Sequence, residues 1–426
     1  MSRPAGGRRA LAVAALLIAV VTAVVFVSLD RGGLERLGLS SRREGAEVPA
    51  DSASEARAMV ADCGNLGVQQ KTDCYRAELS RSLAEAGVRP AMNTLDYLVL
   101  LDTDVSRDAH TYAHHIGVEA YRLWPDVSGT FVMCTESFSS GCYHGVIQAY
   151  FQDRGTPDEE IVDALCEPYK SVEQSRWILF QCVHGMGHGL TMYYGHDLPM
   201  ALEACDLLQD NWDRQSCYGG AFMENIMAAS SPHHPATLLH DSVSSHGAAT
   251  ASHDAAVASE WKALDPADPL YPCSVMEQRY LVQCYLMQTS AMLYLNGGDL
   301  ADASYWCDRA PAAFRRTCHQ SLGRSVTART KDPKRAERLC RSGSERYRGW
   351  CYVGVVKAFV DWTSSAESGL EFCRVVEDVG HKSMCYKALG EEIATLLADA
   401  ETQASLCARA EEEHVGDCRR GARLGG

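Results

Sequence analysis

The chain has 426 residues, 55 acidic against 40 basic side chains and a formal net charge of −15. That balance offers a polyphosphate or an anionic bilayer surface little to dock on, which sets aside nucleic-acid partners and electrostatic attachment to lipid. The 18 cysteines include no CxxC and no CxxCH, so thioredoxin-like redox chemistry, the usual zinc-ribbon spacing and covalent c-type haem are unsupported.

In chain order, residues 1–9 form a basic stub with Arg3, Arg8 and Arg9, which the positive-inside rule places in the cytoplasm. Residues 10–29 are an uncharged run long enough to cross a bilayer as one transmembrane helix. A cleaved signal peptide would have a shorter apolar core and a small-x-small site, whereas this run ends in VFVSLD. The expectation is an uncleaved single-pass signal anchor in the cell membrane, with residues 30–426 extracytoplasmic. Residues 30–54 are polar, contain Gly and Ser and lack a helical period, and read as a flexible stalk.

Beyond the stalk the cysteines set the organisation. They fall into nine near pairs: Cys63/Cys74, Cys134/Cys142, Cys166/Cys182, Cys205/Cys217, Cys273/Cys284, Cys307/Cys318, Cys340/Cys351, Cys373/Cys385 and Cys407/Cys418. From Cys273 to Cys407 the first members follow one another at 34, 33, 33 and 34 residues. The steps Cys63 to Cys134 and Cys205 to Cys273 are double length, as if each spans a unit without cysteine. A period in the low thirties signals stacked helix pairs, each too small to bury its own apolar face. The predicted fold is an all-α solenoid of about eleven helix-hairpin repeats over residues 55–426, each about 34 residues long.

Residues 200–229 illustrate one unit. Ala201, Ala204, Cys205 and Leu208 share a face of a first helix, and Tyr218, Phe222 and Ile226 recur every four residues on a second. The polar segment 209–213 supplies the turn, which puts Cys205 about a turn before the first helix ends and Cys217 at the opening of the second. Across an antiparallel hairpin those positions come within the roughly 4.4–6.8 Å between Cα atoms that a disulfide needs. Each cysteine is therefore paired with its near neighbour, as suits an extracytoplasmic chain, and each short loop so closed removes on the order of 3 kcal/mol of unfolded-state entropy. Three residues after the second cysteine stand Ala77, Gly145, Gly185, Gly220, Met287, Ser321, Gly354, Ala388 and Gly421, nearly all small, as close helix contacts require.

The two gaps fit the same scheme. Residues 89–124 read as a helix pair in phase with the others, and residues 231–267 as a degenerate His-rich repeat or a loop. The units over residues 55–230 are His-rich, while those over 268–426 look regular, serving architecture or a partner. Period and cysteine spacing together resemble tetratricopeptide-like repeats of the extracytoplasmic cysteine-rich kind. The resemblance implies a helical solenoid and a scaffold for a protein or peptide partner on its surface. The Trp, Leu-Gly and Tyr of the tetratricopeptide consensus are absent, so no functional residue carries over.

Twelve of the 15 histidines lie between His110 and His253. Two residues after the second cysteine, neighbouring units place His144 and His184 where other units have residues such as Arg76, Gly219, Val353 or Lys387. His115 aligns with His144 when HIGVEAY is matched to HGVIQAY with one gap. His110 and His114 are four apart, as are His184 and His188, so each pair shares a helix face. Imidazoles converging from adjacent helices suit one or two transition-metal ions such as zinc, copper or iron. The candidate ligands are His110, His114, His115, His144, His184 and His188, with Glu119 and Glu224 able to complete or neutralise the site. A lone histidine on an apolar helix face is more often a hydrogen-bonded core residue, and the scaffold reading treats these that way or as partner contacts. HGMGH lacks the glutamate of HExxH, so the zinc-protease motif and its general base are absent. The sequence leaves open a metal-dependent enzyme, a metal sensor or store, and a binding scaffold.

Overall fold

In the computed structural model of the protein, residues 50–135, 137–170, 176–230, 261–363, 365–397 and 399–424 are described. The anchor expected at residues 10–29, nearly all of the stalk and the histidines of residues 231–260 lie outside them. Among the described residues no helix is long and apolar enough to cross a membrane.

The regular structure there is helical throughout. It opens with α1 (Ala50–Cys63), α2 (Val68–Ala86), α3 (Val88–Leu101), α4 (Thr103–Arg107), α5 (Ala109–Leu123), α6 (Val127–Phe131), α7 (Ser137–Arg154), α8 (Glu159–Cys166), α9 (Arg176–Tyr193), α10 (Leu198–Cys205) and α11 (Asn211–Ser230). It continues with α12 (Leu281–Leu295), α13 (Leu300–Arg309), α14 (Arg315–Thr327), α15 (Pro333–Arg341), α16 (Arg348–Thr363), α17 (Ala366–Val375), α18 (Val379–Leu396), α19 (Ala400–Cys407) and α20 (Val415–Gly421). Residues 89–124 form the expected cysteine-free pair as α3 and α5, with the single turn α4 between them.

From α8 onward most units pair a short helix with a longer one, and the short ones are fixed at both ends. Helices of eight to ten residues are marginal on their own in water. Here Asp158, Asp197, Asp299, Asp332 and Asp399 each accept a backbone N–H at the start of α8, α10, α13, α15 and α19, and Ser365 does so for α17. Each cap contributes about 1 kcal/mol.

At or near the other end a cysteine ties the short helix to the long one that follows. All nine expected pairs are disulfides, with Cα–Cα distances from 5.4 to 5.8 Å. Cys63–Cys74 joins α1 to α2, Cys134–Cys142 joins the segment just after α6 to α7, Cys166–Cys182 joins α8 to α9, and Cys205–Cys217 joins α10 to α11. In the second half Cys307–Cys318 joins α13 to α14, Cys340–Cys351 joins α15 to α16, Cys373–Cys385 joins α17 to α18, and Cys407–Cys418 joins α19 to α20. Cys273–Cys284 differs, because Cys273 sits in a stretch of turns and, among the described residues 261–280, no α-helix precedes α12.

The placement of the cysteines along their helices corrects the expectation. Cys205 is the last residue of α10 rather than a turn before its end, and Cys217 lies in the second turn of α11 rather than at its opening. Asp210 sets that early start of α11 by accepting the N–H groups of Trp212 and Asp213. Cys74, Cys142, Cys182 and Cys385 likewise lie in the second turn of their helices. Cys284, Cys318, Cys351 and Cys418 close the first turn instead, because a preceding 3-10 or other tight turn takes up part of the connection and delays the helix. In both cases the second sulfur sits inside the long helix, at the level where the end of the short helix meets it. The apolar pattern matches the expectation: Leu208, Tyr218, Phe222 and Ile226 are all buried.

The long helices stack in chain order, and glycines decide how closely. A Cβ on Gly117 would stand 2.0 Å from the Cys142 carbonyl oxygen, and one on Gly145 would stand 2.0 Å from that of His114. The same reciprocal approach joins α9 to α11 through Gly187 and Gly220, α14 to α16 through Gly323 and Gly354, and α18 to α20 through Gly390 and Gly421. Backbones touch at these crossings, where Cα–H groups face carbonyl oxygens. The links α7 to α9, α12 to α14 and α16 to α18 run through side chains instead, and α9 also packs against α18. Consecutive helices thus build a solenoid whose long helices form its inner wall.

Candidate metal centre

The glycine crossings fix the repeat register that spacing alone left ambiguous. The carbonyls of His114 and His184 occupy equivalent places, each against the partner glycine of the next helix, as do those of Gln320 and Lys387. His114 therefore corresponds to His184, and the matching of His115 with His144 is incorrect. One residue of slip on a helix turns a side chain by about 100°, and His115 accordingly points elsewhere.

Five of the six predicted histidines come together. His110 and His114 come from α5, His144 from α7, and His184 and His188 from α9. Their ring centroids form a chain: His114 to His110 at 6.4 Å, His110 to His144 at 5.5 Å, His144 to His188 at 4.2 Å and His188 to His184 at 5.2 Å. His114, His144 and His188 are buried, while His110 and His184 are partly exposed. Gly185 and Gly189 let this happen, since both lie against Ile147 of α7 where larger residues would hold α9 away.

Glu224 on α11 is fully buried and organises one end of the chain. His188 Nδ1 donates to Glu224 Oε2 at 2.8 Å, and His196 Nε2 donates to Glu224 Oε1 at 3.3 Å. His196 reaches the carboxylate because the chain reverses just after α9, with Gly195 at φ 64° and His196 itself at φ 66°. A histidine in the left-handed region is uncommon and concentrates at sites that hold it there. At the other end His110 Nδ1 donates to the Phe138 carbonyl at 2.7 Å, and Phe138 is also left-handed at φ 53°. In both rings the Nδ1–H is committed outward, so the lone pair sits on Nε2. Anchoring of this kind, by carboxylate or carbonyl, is the usual support of a metal-ligating imidazole.

Several polar atoms in this core lack a hydrogen-bond partner: His188 Nε2, His144 Nδ1 and both amide atoms of Gln148. Each such group costs on the order of 1–3 kcal/mol. Burial, then the neighbouring His188 and His110 rings, hold His144 well below the ordinary imidazole value, against the pull of Glu224. Burial, then His188 and the Arg324 charge, do the same for His184. His144 and His184 are therefore neutral at physiological pH, which is the ligating form. They touch without converging: His144 and His188 are stacked with only 15° between their planes. Two offset parallel rings cannot both contain one ion in plane, and among the described residues no three His, Cys, Asp or Glu converge on an ion position.

The remaining predicted residues stand apart. His115 Nε2 shares a hydrogen bond with Ser80 Oγ at 2.8 Å, and Glu119 pairs with Arg122 at 2.6 Å. The cysteines brace the helices and offer no thiolate to the centre, because every sulfur is held in a disulfide. That holds for Cys142 and Cys182, on the same helices as His144 and His184, and for Cys74, Cys284, Cys318, Cys351, Cys385 and Cys418 elsewhere. His196 and Gln148 join the cluster in addition to the residues expected from the sequence. Gln148 was findable, since it follows His144 by four residues on the same face, whereas His196 reaches Glu224 through a turn that sequence spacing does not reveal.

His115 gives a test of buried, neutral imidazole that is independent of any metal. Burial, opposed by Glu119 and assisted by Arg76, lowers it to about 4. An imidazole depressed in the folded state stabilises fully above the unfolded value of about 6.5, and that contribution is lost as pH falls toward the folded value. Between pH 7.5 and 5, wild type should lose on the order of 1–2 kcal/mol more stability than His115→Phe in denaturant titrations. Equal losses would show that His115 is protonated as readily folded as unfolded.

No known protein family model matches the chain, and neither does a curated protein or a solved structure.

Proposed function

We propose that this protein is a membrane-anchored, extracytoplasmic metal-binding protein that holds a transition-metal ion of the zinc, copper or iron class among His110, His144 and His188, with His114 and His184 alongside. The observation that carries the reading is the buried Glu224–His188 pair, which orients the ring and leaves Nε2 directed into a cluster of imidazoles. Rotation of the His144 ring out of its stack on His188 would bring a second lone pair to the same ion. Free thiolates do not compete, since all 18 cysteines are in disulfides and none is free. The uncharged run at residues 10–29 behind a basic stub, together with the disulfides, supports placement outside the cell membrane.

Full-length protein purified in detergent without chelator or affinity tag should carry roughly one equivalent of metal, as a closed histidine site retains its ion. X-ray absorption should show outer-sphere imidazole scattering. Folded protein that neither carries nor takes up zinc, copper or iron would return the cluster to a packing role and leave a partner-binding scaffold as the reading.

A further inference from the structure

The inner wall carries a second group of ionisable side chains, on helices that the sequence presents as architectural. The residue after the crossing glycine is His188 on α9, Arg324 on α14 and Glu391 on α18, so Arg324 occupies on its helix the place that His188 occupies in the imidazole cluster. Its charge reaches His184 on one side and Asp361 of α16 on the other. The packing of α9 against α18 brings these parts of the solenoid together.

Arg324 is poorly satisfied for a guanidinium. Its hydrogen-bond acceptor is the Met287 thioether, 2.7 Å from Nη1, and among the described residues no carboxylate lies within ion-pair distance of it. A thioether is a weak acceptor, and a guanidinium has five N–H donors. The acids nearby are committed elsewhere: Lys357 Nζ lies 3.1 Å from Glu391 and 3.5 Å from Glu392, and Asp361 faces Glu392. Arg324 and His184 are both partly exposed, unlike the sealed His188.

We propose that Arg324 anchors an oxyanion subsite on the inner wall, which takes a small molecule bearing a carboxylate or phosphate group and presents it to the imidazole cluster. The rigid planar fork of a guanidinium matches either oxyanion in bidentate fashion, and desolvation strengthens the pairing. The presentation to a metal rests on the function proposed above, whereas the oxyanion subsite does not. A ligand held there extends from the guanidinium toward His184, at the partly exposed end of the cluster.

The test is calorimetric titration of the full-length protein in detergent with acetate and, separately, inorganic phosphate, in metal-loaded and chelator-stripped form. Wild type, Arg324→Met and Arg324→Lys are compared, with metal content and far-ultraviolet circular dichroism recorded for each. Wild type should bind at least one oxyanion in both forms, and the preferred arm tells carboxylate from phosphate. Arg324→Met should weaken binding about tenfold or more, as expected for losing a charged hydrogen-bonding anchor, with metal content unchanged. Arg324→Lys, which keeps the charge and loses the fork, should fall between, and serves alone if the methionine variant does not fold. Equal affinity in wild type and the variants, or no binding of either anion at millimolar concentration, would overturn the subsite. Arginine-dependent binding in a protein that takes up no metal would sustain the subsite and remove the metal reading alone.

Discussion

His188→Ala should abolish metal retention while the solenoid stays folded. His188 combines full burial, an Nδ1 committed to Glu224 and an Nε2 with no hydrogen-bond partner, so it is the ring least replaceable by a neighbour. Losing a ligand that is so oriented leaves His110 and His144 without a third nitrogen in fixed position. Glu224→Gln should be milder, since an amide oxygen still accepts from Nδ1 but the negative charge is gone. A loss of about 10–100-fold in metal affinity is expected, as for other supporting partners of ligating histidines. His115→Ala should change nothing in metal content, because its ring lies with Ser80 outside the cluster. Metal analysis after dialysis against a graded chelator series separates the three variants. The metal centre is refuted if His188→Ala retains as much metal as wild type.

Gly220→Ala should destabilise the protein by at least about 3 kcal/mol, while the adjacent Gly219→Ala should leave it unchanged or up to about 1 kcal/mol more stable. The new Cβ at residue 220 would lie 1.9 Å from the His184 carbonyl oxygen, which is backbone and cannot turn aside. At residue 219 it would meet the Gln283 side-chain oxygen at 3.3 Å and the His184 ring at 3.5 Å, atoms that can shift a little. Alanine in place of glycine inside a helix is itself favourable. Because α11 carries Glu224 and α9 carries His188, Gly220→Ala should also lower metal affinity, which Gly219→Ala should not. Denaturant titrations of the two variants provide the comparison, and equal stabilities would show that α9 and α11 do not cross backbone to backbone.

The histidine cluster is legible in part from the sequence, and the errors are specific. Four-residue spacing puts His110 with His114 and His184 with His188, since i and i+4 side chains share a helix face whatever surrounds the helix. The concentration of histidines in consecutive units then points to one site. The alignment of His115 with His144 fails because it relies on similar short segments, whereas the true register is set by which carbonyl each glycine meets. Glycines 117, 187, 323 and 390 are the other halves of the crossings, and a scan of one small position per repeat sees only half of each contact. The aspartates that cap the short helices also recur with the repeat, and an N-cap is a local signal that cysteine spacing alone does not use.

The all-helical repeat, the nine disulfides and the shared helix faces of His110 with His114 and of His184 with His188 can be read along the chain. Each depends on contacts between residues close in sequence, whose geometry follows from the 3.6-residue turn and the short loops between cysteines. Other relations exist only once the helices are packed: His115 and Glu119 face away, His196 returns to Glu224, and Arg324, Asp361 and Glu392 stand on the same inner wall as the histidines. They join residues tens to hundreds of positions apart. They depend on the angle at which each helix crosses the next, and that angle accumulates over every glycine contact until α9 meets α18.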